Sequence, residues 1–97
     1  MYARVARFEG AEGDALRREA EDIASRAPSG PPEGVPATGF LMLIDADSGR
    51  SLAISLFETE DDLRKGNEAL NSMSPASDDA GRRTSVETYE VAVDLRG

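Results

Sequence analysis

Few side chains of this chain could do chemistry, because its 97 residues include neither histidine nor cysteine. A zinc site of the usual kind, a histidine general base, a histidine-ligated haem and a thiolate nucleophile are therefore excluded. Disulfides are excluded as well, and the cytoplasm is the expected compartment. The sequence predicts no metal and no cofactor. We recognise no catalytic set in it, so the catalytic residues stay unassigned.

The candidates for a binding site begin in the apolar segment from Phe40 to Phe57. Ser55 and Ala53 are small residues in the middle of a predicted central strand, two and four positions before Phe57. Small side chains with one hydroxyl and an aromatic wall are typical of a pocket floor. Tight packing of a helix on a sheet requires small residues at the same positions, so this alternative stays open. Asn67, on the following helix, is the polar residue that we expect to face the sheet.

Two arginines on the first predicted strand are candidates for holding an anionic group of a ligand. Arg4 and Arg7 fall on opposite faces of a strand with little room for solvent, and either guanidinium group could reach inward. An arginine in such a place more often extends to an edge or pairs with an acid, for which Glu87 and Glu90 are candidates. The sequence leaves both possibilities open.

The acidic residues have structural explanations that compete with metal binding. The acidic run 58–62 surrounds the expected start of a helix, where the helix dipole favours negative charge. Asp45 and Asp47 flank a hairpin turn, which aspartate stabilises through hydrogen bonds to its own backbone. We therefore expect no metal site at either place.

Net charge and hydropathy limit the partners. The 19 acidic and 11 basic residues give a net charge of -8, which repels phosphate backbones, so no nucleic-acid partner is expected. No segment approaches the roughly 20 apolar residues of a membrane span, and we recognise no secretion signal. The expected partners are a second copy of the chain and a small apolar or aromatic ligand.

The first half of the chain predicts a strand, a helix, a loop and a hairpin. Residues 2–9 alternate as a strand, and an apolar helical stripe from Leu16 to Ala27 ends before Pro28. The Pro- and Gly-rich segment 28–39 is a loop, either a surface connector or a flap over a pocket. Two apolar runs within 40–57, joined by a polar turn with glycine, predict a β-hairpin.

The second half predicts a helix and a strand. Thr59 and Asp62 resemble a capping box at the helix start. Gly66, inside the helical stripe, either permits close packing or leaves room beneath the helix. The helix is expected to end at Ser74-Pro75, followed by a polar loop over 76–83 and a fourth strand from Thr84 to Leu95.

The order β-α-β-β-α-β predicts an α+β, ferredoxin-like fold, a four-stranded antiparallel sheet with two helices on one face. Residues 1–97 are expected to form a single domain. Both hairpin strands are apolar on both faces, and two helices cover only one face of a sheet. The uncovered face would form an apolar patch larger than monomers usually expose, so we predict a homodimer through the sheet faces.

The chain resembles the dimeric α/β-barrel superfamily in its element order and in three segments. These are Gly39-Phe40 opening the second strand, the hairpin IDADSGRSLAISLFE and the helix start TEDDL. It is most similar to small uncharacterised proteins related to the antibiotic biosynthesis monooxygenase domain. The resemblance covers nearly the whole chain. It implies a dimeric α/β barrel with a pocket in each subunit between sheet and helices.

Members of this superfamily include cofactor-free monooxygenases acting on polycyclic aromatics, haem-degrading enzymes and proteins of no known activity. Phe57 stands where the haem-degrading members have a tryptophan, and Asn67 lies near the position of their helical histidine. Cofactor-free oxygenation uses groups that can deprotonate and hold an aromatic substrate. For that role the chain offers Tyr2, Tyr89, Asn67, Arg4 and Arg7.

The sequence therefore leaves the function open between three interpretations, and with it the question whether the chain is an enzyme. A non-catalytic dimeric module, with or without a small apolar ligand, agrees best with a fold signal that lacks a catalytic set. The alternative is a cofactor-independent monooxygenase acting on an aromatic or polyketide-like substrate. A regulatory ligand-binding domain is the third. The predicted ligand-binding residues are Ser55, Phe57, Asn67, Arg7 and Tyr89.

Overall fold

The computed structural model describes residues 1–73 and 81–95. One turn of 3₁₀ helix, Ala27–Ser29, follows the first helix. The predicted helix end at Ser74-Pro75 and most of the predicted loop 76–83 lie outside the described residues. The elements are β1 (Tyr2–Glu9), α1 (Gly13–Arg26), β2 (Gly39–Asp45), β3 (Arg50–Phe57), α2 (Glu60–Ser72) and β4 (Arg82–Glu90).

The four strands form one antiparallel sheet in the order β2-β3-β1-β4. β3 and β1 are central, and β2 and β4 are the two edges. α2 contacts β1 and β3, and α1 contacts β2. This is the ferredoxin-like arrangement, so the predicted fold class and element order are confirmed.

Strand pairing assigns each sheet residue to one of two faces. Because side chains alternate along a strand and paired residues share a face, Arg4, Ser55 and Phe40 form one row across the sheet. Arg4 donates a hydrogen bond to Asn67 of α2, so this row belongs to the side covered by helices, here called the helix face. The opposite side is called the open face. It carries Ala3, Val5, Arg7, Leu41, Leu43, Leu52, Ile54, Leu56, Glu87 and Tyr89.

Both helices begin at a side-chain cap. The Thr59 hydroxyl accepts a hydrogen bond from the backbone N–H of Asp62 at 3.0 Å, which confirms the predicted N-cap of α2. The Glu12 carboxylate caps α1 by accepting from the backbone N–H groups of Asp14 and Ala15 at 3.2 and 3.3 Å. The sequence did not predict this cap, because glutamate is not among the preferred N-cap residues. Within the described residues, neither helix is long and apolar enough to cross a membrane.

The core beneath α2 is closed by a contact between Phe57 and Gly66. The Phe57 side chain is 0% exposed and packs in a cluster with Val35 and Leu63. A Cβ atom at position 66 would lie only 2.5 Å from the Phe57 Cζ atom. Glycine therefore lets α2 approach the sheet closely, which is the first of the two roles expected for it. Val35 also fastens the 28–39 loop to this core.

The fourth strand differs from its predicted range at both ends. The alternating pattern predicted residues 84–95, but β4 spans Arg82–Glu90. Its last residue pairs with Tyr2, the first residue of β1, and the Val91 N–H donates to the Met1 carbonyl oxygen at 2.9 Å. β1 begins at Tyr2, so its pairing with β4 ends at Glu90. The alternating pattern therefore continues without a partner strand.

Candidate functional site

A buried arginine lies at the centre of the helix face. Arg4, on the central strand β1, is only 5% exposed. Its Nε atom donates to Oδ1 of Asn67 at 2.9 Å, and its Nη2 atom donates to Oδ1 of Asn71 at 2.9 Å. The two asparagines are four residues apart on α2, so they project from the same side of the helix. The guanidinium group is thus held between sheet and helix by two neutral amides.

A second guanidinium group reaches the same place. Arg83, on the edge strand β4, donates from Nη1 to the same Asn71 oxygen at 3.0 Å. No carboxylate of the described residues forms a salt bridge with Arg4 or Arg83. Burial and, to a smaller extent, the charge of Arg83 lower the pKa of Arg4. Arg4, Asn67, Asn71 and Arg83 are called the arginine–asparagine cluster.

An apolar strip lies on the helix face at the β2 edge of the sheet. Phe40, Met42 and Ile44 point to this face according to their pairing with β3. Phe40 is 46% exposed, and Ile44 is exposed as well, although α1 contacts this strand. Ser55 separates Phe40 from Arg4 in their row, so two strand spacings, about 10 Å, lie between these backbones. Phe40, Met42 and Ile44 are called the β2 strip.

A second polar cluster lies on the open face. The Arg7 Nε atom donates to Oε1 of Glu87 at 2.6 Å, and the Tyr89 hydroxyl donates to Oε2 of Glu87 at 2.5 Å. The hydrogen bonds from Arg7 and Tyr89 lower the pKa of Glu87. The bond to Glu87 raises the pKa of Arg7 and also raises the pKa of the Tyr89 hydroxyl. These three residues, called the open-face cluster, balance one positive charge with one negative charge.

The structure divides the predicted ligand-binding residues between the two faces. Ser55 is buried on the helix face, in the row of Arg4, and Asn67 is the direct partner of that arginine. Arg7 and Tyr89 lie on the open face, so they do not belong to one site with Ser55 and Asn67. Of the two arginines considered for an inward position, Arg4 holds it and Arg7 pairs with an acid.

Phe57, the fifth predicted residue, lies on the helix face but offers no surface to a ligand. Its ring fills the space beneath Gly66, where the sequence suggested a pocket with an aromatic wall. The alternative of tight helix-on-sheet packing therefore describes this part of the structure.

Sequence reasoning missed two members of the arginine–asparagine cluster. Asn71 follows Asn67 by four positions, which is the spacing that puts two residues on one side of a helix, so this signal was present. Arg83 lies just before the predicted start of the fourth strand, where a charged residue is typical of a sheet edge. Its position near α2 depends on the pairing of β4 with β1, which no local pattern shows.

A groove of about 430 Å³ opens at the end of the sheet near the β2–β3 turn. Its lining includes Arg7 and Leu43 of the open face, together with Asp45 and Arg50, which form a salt bridge at 3.2 Å. Asp45 and Arg50 at the rim bond each other, so neither of these two charges is free to hold a ligand. The described residues also contain no group of three or more side chains that could hold a metal ion.

The chain is similar to known proteins in its fold, as solved structures show. No family model matches the sequence, and no curated protein matches it. The haem degrader MhuD from Mycobacterium tuberculosis, solved with two haems in its active site, gives a TM-score of 0.68 at 16% identity, covering 99% of this chain and 100% of that chain. An MhuD mutant with two manganese protoporphyrin IX bound per active site gives 0.65 at 17% identity, with both chains covered completely. A protein from Deinococcus radiodurans, described as a candidate antibiotic biosynthesis monooxygenase, gives 0.57 at 12% identity over both complete chains.

The chain shares the fold of these proteins. The resemblance to antibiotic biosynthesis monooxygenase-like proteins is thereby confirmed for the ferredoxin-like architecture over the whole chain. At such low identities a shared fold assigns no function to individual residues, because one fold supports many sites.

Proposed function

We propose that the chain is a small-ligand-binding module that takes a mostly apolar ligand on the helix face. The proposal is carried by the exposure of the β2 strip, where Phe40 is 46% exposed on the side of the sheet that the helices cover. Large apolar side chains on that side normally lose their surface to helix packing. A ligand lying on the strip would remove it from water, which contributes roughly 25 cal/mol per Å² of apolar surface buried.

The packing of the helices supports this location. α2 lies over β1 and β3, and Phe57 fills the space beneath it. The β2 strip, on the strand that α1 contacts, keeps exposed apolar surface at Phe40 and Ile44. MhuD holds two haems in its active site on the same fold, which supports the capacity of such a scaffold for a large ligand. The present chain has no histidine with which to ligate haem iron.

Two substitutions on one strand test the ligand site. Phe40→Ser removes a ring from the helix face, and Leu41→Ser removes a side chain of similar exposure, 49%, from the open face. We expect octanol and naphthol to raise the Tm of the wild-type protein and of Leu41→Ser, and to leave Phe40→Ser unchanged, since only a ligand bound to the folded state raises the midpoint. Equal shifts in the two variants would place binding elsewhere and contradict the proposal.

The proposal includes a homodimer through the open face. Leu41, Leu43 and Tyr89 are each about half exposed there, and a stable two-fold interface requires about 800 Å² from each subunit. Arg7 already has Glu87 as its partner, so its charge would enter this interface as part of an ion pair. The open face of a second subunit is the simplest surface that could bury this one, because a two-fold dimer pairs the same surface of both subunits.

Light scattering at micromolar concentration tests the dimer. We expect twice the 10.3 kDa chain mass for the wild type and the single chain mass for Leu43→Glu, which puts a charge on the apolar open face. Ile44→Glu, the neighbouring change on the helix face, is the matched control and should stay dimeric. A monomeric wild-type protein would remove this part of the proposal.

Cofactor-independent oxygenation of an aromatic substrate is the alternative. It has less support, because Asn67 and Tyr89, two of the groups expected to serve it, lie on opposite faces of the sheet. Oxygen uptake with a bound aromatic hydroquinone, abolished in Asn67→Leu, would favour this alternative over the binding module.

A further inference from the structure

The arginine–asparagine cluster has the donors of an anion site but lacks an anion among the described residues. We propose that it binds the carboxylate of the ligand between Arg4 and Arg83, which rests on the ligand-binding function proposed above. The ligand is then an amphipathic monocarboxylate, with its acid on this cluster and its apolar body directed toward the β2 strip.

The geometry around Asn71 is the first support. One amide oxygen accepts from Nη2 of Arg4 at 2.9 Å and from Nη1 of Arg83 at 3.0 Å. Guanidinium groups bind carboxylates through paired, charge-assisted hydrogen bonds, and a carboxylate offers two oxygens with a full negative charge. A neutral amide oxygen compensates neither positive charge, and no carboxylate of residues 1–73 and 81–95 forms a salt bridge with them. A carboxylate between the two groups would compensate them.

The burial of Arg4 is the second support. A charged group removed from water is costly unless a partner of opposite charge accompanies it. Arg4 is 5% exposed, and its two bonded partners are amides. Acids are plentiful in this chain, since it has 19 acidic residues. Arg7, three positions along the same strand, has Glu87 at 2.6 Å, so the absence of a described carboxylate at Arg4 is specific to the helix face.

The row across the sheet indicates the kind of ligand. Phe40 and Arg4 are separated by Ser55, which is small, and by two strand spacings, about 10 Å. A ligand with an acid at one end and an apolar tail of that length matches the distance between the cluster and the β2 strip. Medium-chain fatty acids and arylalkanoic acids fit this description.

A single substitution tests the cluster without any ligand. Asn71→Asp places a carboxylate at the oxygen that both arginines already contact, and we expect the Tm to rise by a few degrees. Ser72→Asp is the matched control, because it adds the same charge to the same last turn of α2, where the helix dipole disfavours it. A Tm for Asn71→Asp that is unchanged, or lowered as in Ser72→Asp, would overturn the carboxylate proposal while leaving apolar ligand binding untouched.

A pair of probes tests the ligand class. Octanoate and octanol have the same tail, and we expect octanoate to bind at least about tenfold more tightly to the wild type, as charge-assisted hydrogen bonds imply. Arg83→Gln, a change on an exposed residue, and Asn71→Asp should both reduce the octanoate affinity to that of octanol. Equal affinities in the wild type would overturn the anion site but support apolar binding, whereas binding of neither probe would overturn the proposed function itself.

Two acids of the chain, Asp78 and Asp79, lie outside the described residues and require their own control. In the double variant Asp78→Asn/Asp79→Asn we expect the octanoate affinity of the wild type. A strong increase in affinity would show that a carboxylate of the chain itself occupies the cluster. That result would overturn the assignment to a ligand.

Discussion

Arg4 and Arg7 stand three positions apart on β1 and differ in almost every respect. Arg4 points to the helix face, is nearly fully buried and bonds two asparagines. Arg7 points to the open face, keeps about half of its side chain in water and bonds Glu87. Residue type and local sequence do not explain the difference, because both arginines lie on one strand in similar apolar surroundings. The alternation of the strand sends each side chain to a different set of partners.

The two arginines belong to two different kinds of polar cluster, one with balanced charges on the open face and one without a described carboxylate on the helix face. The open-face cluster satisfies its charges internally, so a second subunit can cover it without burying an unpaired ion. The arginine–asparagine cluster joins two guanidinium groups to neutral amides, with no carboxylate partner among the described residues. A structural role is therefore sufficient for Arg7, whereas the environment of Arg4 favours an anionic partner.

Among the proposed substitutions, Gly66→Ala is expected to lower the free energy of unfolding most. The added methyl group would overlap the Phe57 ring and push α2, with Asn67 and Asn71, away from Arg4. We expect a loss of about 3 kcal/mol in the free energy of unfolding, the upper part of the range for overpacking. The helix-propensity gain of about 1 kcal/mol from glycine to alanine offsets only part of it.

Urea denaturation measures the effect of Gly66→Ala, and Phe57→Leu/Gly66→Ala is its control. The smaller leucine should restore part of the loss if the clash with the ring is the cause. A single variant as stable as the wild type would show that α2 does not depend on this close approach.

A smaller effect is expected from Arg4→Ala, compared with Arg7→Ala. Arg4→Ala removes two hydrogen bonds to a charged group and the packing of a buried alkyl chain, and we expect a loss of about 2 kcal/mol. Arg7→Ala removes an ion pair exposed to solvent, so a smaller decrease in Tm is expected. Urea denaturation of both variants in one buffer makes the comparison. A larger loss for Arg7→Ala would reverse the distinction drawn between the two clusters.

The smallest expected effect is on the pH dependence of stability, to which Glu87 of the open-face cluster contributes. The pKa of Glu87 is lowered in the folded state by hydrogen bonds from Arg7 and Tyr89. Its contribution to stability is therefore present above the unfolded pKa, about 4.3, and is lost as the pH falls through the lower folded value. The Tm difference between the wild type and Glu87→Gln should thus be positive at neutral pH and disappear in acid.

Asn71→Ala is the control for this pH series, because the arginine–asparagine cluster contains no carboxylate among the described residues. Its Tm difference from the wild type should stay constant from neutral pH into acid. The open-face interpretation fails if the Glu87→Gln difference is equally constant.

Several features were predictable because they depend on nearby residues. The helix start at Thr59 follows from a cap that joins residues three positions apart. The β-α-β-β-α-β order follows from periodicities that repeat within each element. The pocket expected at Phe57 was not found, because one small residue on another element, Gly66, decides whether an aromatic ring borders a cavity or fills it. The end of β4 was misplaced for a related reason, since a strand ends where its partner ends.

The sequence by itself determined the order of elements, the N-cap of α2 and the two-sided apolar character of the hairpin, because each depends on contacts between residues close along the chain. Only the tertiary structure decided which side of the sheet the helices cover and which partner each arginine finds. Arg4 and Asn67 are 63 positions apart, and Arg7 and Glu87 are 80 apart. No local pattern carries that information, since such pairs meet only when the helix packs on the sheet and the last strand joins the first.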